Sequence, residues 1–211
     1  MPEVVVRAFL TLAAVATVLA RPAFAQVNSC TGPERLFVGA VAGRSSPEFD
    51  LTADAIPPTP GSVSVRSGFQ FGGRGDVTIA GPLRARVEGW TANWDVERRI
   101  YSPLNGQVVS LTPEGHIDAH HLGASIGVRG GRSPVCWQVL AGGGLYSLRY
   151  RDVTSRRPGF VLTAGMDFPT GERGRVQLEA QVHIIDSQMH SPVHGTKALS
   201  LALVAGWGIR F

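Results

Sequence analysis

The side chains that could do chemistry beyond packing are two cysteines, six histidines and a large complement of arginine. Cys30 and Cys136 are too few for a four-thiolate zinc site and form no Cys-x-x-Cys redox motif, which leaves one disulfide or two separate thiols. His116, His120, His121, His183, His190 and His194 fall into two groups, and imidazoles that converge can bind a transition metal. No carboxylate stands beside them at a spacing that would fix a site, so no metal and no other cofactor is expected. The nearest candidates for a nucleophile and base are His183 with Ser187, or His190 with Ser191, with Glu179 or Asp186 as the acid. Arg149, Arg151, Arg156 and Arg157 crowd around one anion, Asp152, and guanidinium groups suit phosphate. Arg74-Gly75-Asp76 matches an adhesion tripeptide, but it falls inside an expected strand and is set aside.

The chain that must position these groups has 211 residues, 44% apolar and 17% charged, with 26 Gly and 14 Pro, which fits one folded domain. Its net charge of +4 is dispersed, and Arg supplies all but one of its 20 Lys and Arg residues. No basic arm exists, so nucleic acid is excluded as a partner. Residues 1–25 read as a signal peptide: Arg7, an apolar run from Ala8 to Ala20, then Ala23-Phe24-Ala25 before Gln26. That run is too short for a membrane-spanning helix, which needs roughly 20 residues.

The remainder alternates with a period of two. Leu199, Leu201, Leu203, Ala205, Trp207, Ile209 and Phe211 share one face of the terminal strand, against Ser200, Ala202, Val204, Gly206, Gly208 and Arg210, a mostly small or polar phase. From Val63 to Ile79 the odd positions are mostly apolar and the even ones polar, and the pattern resumes after Ala80-Gly81-Pro82 with Leu83, Ala85 and Val87. Further alternation marks 122–129, 160–168 and 175–184, and weaker strands are expected at 35–44 and 135–147. These make eight strands. Connections at 80–82, 130–134 and 169–174 are short, whereas those at 45–62, 98–116, 149–158 and 186–197 are longer. Strict alternation of short and long connections, together with the signal peptide and the aromatic end, predicts an all-β, eight-stranded antiparallel up-and-down transmembrane β-barrel. The alternative is a soluble periplasmic ligand-binding barrel, in which the apolar set would face inward.

In the membrane reading the polar phase faces the interior, because an Arg on the lipid face costs about 2–4 kcal/mol at the midplane. The expected interior network is Arg66, Arg74, Asp76, Arg84, Arg86, Glu88, Arg129, Asp167, Arg175, Gln177, Glu179, Gln181 and Arg210. So narrow a barrel is filled by side chains. A paired polar plug is one outcome and a narrow gated pore is the other.

At this point the chain resembles the small eight-stranded outer-membrane barrels typified by outer-membrane proteins A and X. The resemblance rests on LSLALVAGWGIRF and on the hairpins GRGDVTIAGPLRARVEG and TAGMDFPTGERGRVQLEAQ, and it covers residues 35–211. It implies an outer-membrane location and a C-terminal β-signal at Leu203, Trp207, Ile209 and Phe211, read by the barrel-assembly machinery. It implies contact with outer-membrane lipid, and a non-catalytic protein serving membrane integrity, surface interaction or small-solute passage. A few such barrels modify lipid A, but His183 is followed by Ile184-Ile185 instead of the His-x-Ser arrangement such an enzyme would show. With the last strand at the end of the sequence, no peptidoglycan-binding domain is expected. All six histidines are expected near the long-loop rim, and Arg149, Arg151, Arg156 and Arg157 in the third long loop are candidates for lipopolysaccharide contact. An oxidising periplasm permits a Cys30–Cys136 bridge, which would draw residues 26–34 across the periplasmic mouth; separate thiols are the alternative.

Overall fold

A computed structural model describes residue 30 and residues 36–48, 61–101, 108–132, 135–170, 173–187 and 196–211. The signal peptide and most of the 26–34 segment therefore lie outside the described residues. The strands are β1 (Leu36–Glu48), β2 (Gly61–Val65), β3 (Gly68–Ala80), β4 (Leu83–Tyr101), β5 (Val108–Arg132), β6 (Val135–Tyr150), β7 (Val153–Thr170), β8 (Gly174–Ser187) and β9 (Thr196–Arg210). Both β2 and β3 pair with β4, so they form a single barrel strand, and there are eight strands in the ring. Each strand pairs antiparallel with its neighbours in sequence, and β1 pairs with β9 to close the circle. The seam extends to the last residue, where the Phe211 amide donates to the Leu36 carbonyl at 2.9 Å. Within the ring each strand is paired on both sides, the condition for exposing a sheet to lipid, whereas β2 and residues 108–116 of β5 pair with β4 alone.

The faces resolve as the alternation requires. Leu201, Leu203, Trp207, Ile209 and Phe211 lie outside on β9, while Ala202 and Val204 are buried inside. Phe69, Phe71, Val77, Val87, Leu122, Ile126, Phe160, Met166 and Leu178 continue the outer apolar belt, and the charged phase fills the interior. The apolar set faces outward, which rejects the soluble barrel.

Three local expectations need correction. The alternation from Val63 to Ile79 is not one phase. Val65 pairs with Val96 and Phe69 with Asn93, so β2–β3 holds one more residue than the β4 segment it faces. This bulge at Arg66–Ser67 sends Val65 inward while Phe69 stays outside. Second, no long loop occupies 149–158: β6 runs to Tyr150, β7 starts at Val153, and only Arg151 and Asp152 join them, with Arg151 at φ 52°. Third, 98–116 is largely strand, since β4 reaches Tyr101 and β5 begins at Val108.

These corrections share one cause. β4 has 19 residues and β5 has 25, whereas crossing a bilayer takes about 9–11. The strands outrun the apolar belt, and where they leave it their two faces exchange character. Along β4 the outward residues change from Leu83, Ala85 and Val87 to Thr91, Asn93 and Asp95, while the inward ones change from Arg84, Arg86 and Glu88 to Trp90, Ala92, Trp94 and Val96. The same exchange occurs between His121 and Leu122 on β5. Within the belt the barrel is built for lipid outside; beyond it, it is built like a soluble β-protein around an apolar core.

Candidate functional site

The interior is stacked in four levels along the barrel axis. Nearest the short-turn rim, Asp167 of β7 accepts from Arg129 Nη2 at 2.6 Å and pairs with Arg175 Nη1 at 2.9 Å. Arg84 is buried at the same end and has an interaction partner. Cys136 points inward beside Asp167 in the β6–β7 register and is bonded to Cys30, with a Cα–Cα distance of 5.8 Å. Cys30 is itself buried. The bridge thus holds a point of the N-terminal segment inside the short-turn mouth, across 106 residues of sequence.

The second level is an ion-pair lattice. Arg86 grips Asp76 through Nε and Nη2 at 2.7 and 3.0 Å, and on its other side it grips Glu179 through Nη1 and Nη2 at 3.0 and 2.9 Å. Arg74 donates to Glu179 Oε2 at 2.5 Å and also to Gln177, and Gln138 donates to Glu179 Oε1 at 2.6 Å. Glu88 is buried alongside, and Gln181 Nε2 reaches its Oε2 at 3.4 Å. Two guanidinium groups and two side-chain amides therefore converge on one carboxylate, and the attraction between these buried ions works against their desolvation, while Arg74 Nε and Glu88 Oε1 are buried without a hydrogen-bond partner.

The third level is aromatic and imidazole. Tyr146 Oη and His183 Nδ1 share a hydrogen bond of 2.8 Å, His121 stacks on Tyr146 with centroids 4.4 Å apart, and Trp90 meets both histidine rings at 5.2 Å. Gly123 and Gly144 make this possible, because a Cβ at either would strike His121 Nε2. The fourth level is the apolar core beyond the belt: Trp94, Val96, Ile117, Ala119, Leu148 and Ile185, all fully buried, with Val65 and Tyr150 packed against it. Trp94 spends its one polar atom on Ser45 Oγ at 2.7 Å.

The structure brings together Arg74, Asp76, Arg84, Arg86, Glu88, Arg129, Asp167, Arg175, Gln177, Glu179 and Gln181 inside the barrel. Arg66 is not among them. The bulge leaves it exposed, and it pairs with Glu97 at 2.7 Å outside the interior lattice. The Arg210 side chain lies outside the described residues. Of the histidines, His121 and His183 are not at the loop rim but sit in the third level, because the strands continue beyond them; His116 and His120 are exposed, and His190 and His194 lie outside the described residues. His183 is turned toward Tyr146 inside the wall, away from any lipid-side substrate. Gln138 and the aromatic ring around Trp90 were not legible as interior groups. Gly142, Gly143 and Gly144 obscure the phase of β6, and no sequence signal gives the height of a side chain along the barrel. The arginines proposed for lipid contact divide: Arg149, Arg151 and Arg156 are exposed, while Arg157 falls in the inward phase and donates to Ser155 Oγ at 3.1 Å.

Comparison with known proteins gives a fold and no closer kinship. No protein-family model matches the chain, and no curated protein matches it. Among solved structures it is similar to Neisserial surface protein A, at 16% identity and TM-score 0.55, over 83% of this chain and 97% of that one. It is also similar to the outer membrane protein OprG from Pseudomonas aeruginosa, at 13% identity and TM-score 0.54, over 83% of this chain and 94% of that one. A closed barrel with an apolar outside and an ion-paired inside is a membrane-spanning structure, and the fold that it matches is an outer-membrane one. The chain has the fold of the small eight-stranded outer-membrane β-barrels.

Proposed function

We propose that this protein is a closed, non-catalytic outer-membrane barrel whose work is done on its outer surface, as an anchored platform for surface interaction and membrane integrity. The observation that carries this reading is the occlusion of the interior at successive levels. The Arg86 lattice spans the middle, and the Trp94–Ile117–Leu148 core fills the barrel beyond the belt. A conducting pore needs a continuous water-filled path. Here the side chains along the axis are buried against one another, and moving an ion through would mean parting both a charge lattice and an apolar plug. Non-catalytic action is favoured by the inward orientation of His183, which leaves the nearest candidate base facing Tyr146 and Trp90. What projects instead is a β-sheet extension of β4, β5, β6 and β7 beyond the belt, carrying Asn93, Asp95, Asp118, Arg149 and Arg151.

The test is conductance of the full barrel in planar bilayers, with folding checked by heat-modifiable migration on a gel. The expected result is a baseline indistinguishable from the lipid alone. Reproducible unitary steps from correctly folded protein would overturn the closed-barrel reading in favour of a narrow pore.

A further inference from the structure

We infer that the β6–β7 face holds a docking site for a phosphorylated acyl-glycolipid of the outer leaflet, with Arg149 and Arg156 as the phosphate ligands. Both point outward, both are exposed, and neither has a hydrogen-bond or ion-pair partner among the described residues. Arg149 pairs across strands with Thr154, and Arg156 with Ser147, so the two arginines are diagonal neighbours on one face. Diagonal positions lie about 7–8 Å apart, within reach of long side chains, so two guanidinium forks can close on one phosphate. Arg151 at the hairpin tip is held over the Tyr150 ring at 5.1 Å, one step further out.

The height of the pair identifies the ligand. Immediately below, on the same outward phase, lie Leu145 and Phe160, both largely exposed, with Gly143 opposite Phe160 in register. This sequence of guanidinium, then leucine and phenylalanine beside a side chain-free position, matches an amphiphile whose phosphate sits at the membrane surface above its acyl chains. A free phosphate would use only the upper half. The rim with the longer connections faces outward from the cell in barrels of this kind, and the phosphates in that leaflet belong to the lipid A portion of lipopolysaccharide. Two anions flank the pair: Asp152 in the hairpin turn, and Asp118, the cross-strand neighbour of Arg149 on β5, which accepts from Asn93 Nδ2 at 2.8 Å and lies 3.8 Å from His116 Nε2. The inference rests on the outer-membrane placement of the barrel and not on whether the barrel conducts, so the conductance test and the lipid test fail independently.

The experiment reconstitutes the barrel in phosphatidylcholine vesicles carrying a minor fraction of bis-phosphorylated lipid A, dephosphorylated lipid A or phosphatidylglycerol. Lipid retained by the extracted protein is then counted by native mass spectrometry. Lipid A is expected to be retained about tenfold over the other two, and Arg149→Gln/Arg156→Gln to lose about that factor. Arg44→Gln, an exposed outward arginine on β1 that donates to Ser67, serves as the control and should retain lipid as the wild type does. Thr154→Glu keeps both arginines but sets an anion opposite Arg149, and it should lower retention as the double variant does. Heat-modifiable migration identifies folded protein in each case. Equal retention of phosphorylated and dephosphorylated lipid A, equal retention of phosphatidylglycerol, or wild-type retention by both disrupting variants would overturn the site.

Discussion

Arg86 on β4 and Glu179 on β8 meet inside the barrel in a two-point grip, Nη1 to Oε2 at 3.0 Å and Nη2 to Oε1 at 2.9 Å, with both side chains fully buried. The two strands stand four places apart in a ring of eight, so the pair is a strut across the barrel's diameter. Local pairing between neighbouring strands cannot supply such a link, and the strut therefore ties opposite walls that hydrogen bonds join only around the circumference.

Removing both ends of the strut should cost less than the sum of removing each alone. Glu179→Ala leaves Arg74 and Arg86 facing each other without their shared carboxylate, and Arg86→Ala strands Asp76 and leaves Glu179 to Arg74 and the neighbouring amides. Breaking a buried pair from one side costs about 3–5 kcal/mol, whereas exchanging both partners for apolar groups of similar volume can be nearly neutral. Glu179→Ala is thus expected to lower the temperature at which the folded gel band is lost. The double variant Arg86→Met/Glu179→Leu should be less destabilised than the sum of Arg86→Met and Glu179→Leu measured singly. Additive losses would mean that the two groups act separately.

The strut was legible in the sequence only as a direction. Alternation through Arg84, Arg86 and Glu88, and through Arg175, Gln177 and Glu179, tells which face each residue occupies, since a strand has only two. It does not tell which residue on β4 meets which on β8, because that depends on shear and tilt set by the whole ring. The same gap hid His121 and His183. Their phase was readable, but their level was not, and proximity to polar loop-like segments suggested a rim where the structure has an interior. The β6–β7 hairpin was misread for a related reason: Thr154, Ser155, Arg156 and Arg157 look like a loop because outside the lipid belt the outward face is allowed to be polar. The bulge at Arg66–Ser67 carries no glycine or proline at its centre to announce it.

The Cys30–Cys136 bridge should stabilise the assembled protein without determining its fold. Linking residues 106 apart restricts the unfolded chain, and for a loop of roughly 100 residues the chain-entropy estimate is about 4.7 kcal/mol, with native strain and residual structure reducing it. The ring itself closes through β1 and β9 and needs no covalent help. Cys30→Ser/Cys136→Ser is expected to reach the outer membrane and to show heat-modifiable migration, with a lowered unfolding midpoint in urea. Wild-type protein treated with a thiol reductant should show the same shift. Failure of the double variant to assemble at all would show that the N-terminal tether is required for barrel formation.

The exchange of faces at the edge of the belt predicts opposite outcomes for one substitution at two heights. Ile126 and Asn93 both point outward, Ile126 within the belt on β5 and Asn93 beyond it on β4. Ile126→Arg puts a guanidinium into hydrocarbon, at a cost of about 2–4 kcal/mol near the midplane. Asn93→Arg puts one into water or headgroups and loses only the exposed hydrogen bond to Asp118, whose carboxylate an arginine can still engage. Inside, the order reverses. Trp94→Ala should behave like a core truncation in a soluble protein, costing about 3–5 kcal/mol through the cavity it leaves, and it also leaves Ser45 without its donor. Because that cavity lies beyond the belt, the loss should appear as faster proteolysis of the projecting β4–β5 hairpin in intact vesicles, while the membrane-embedded fragment stays protected. If Asn93→Arg instead destabilises as much as Ile126→Arg, the lipid reaches higher than the change in side-chain character implies, and the aromatic level around Trp90 lies within the membrane.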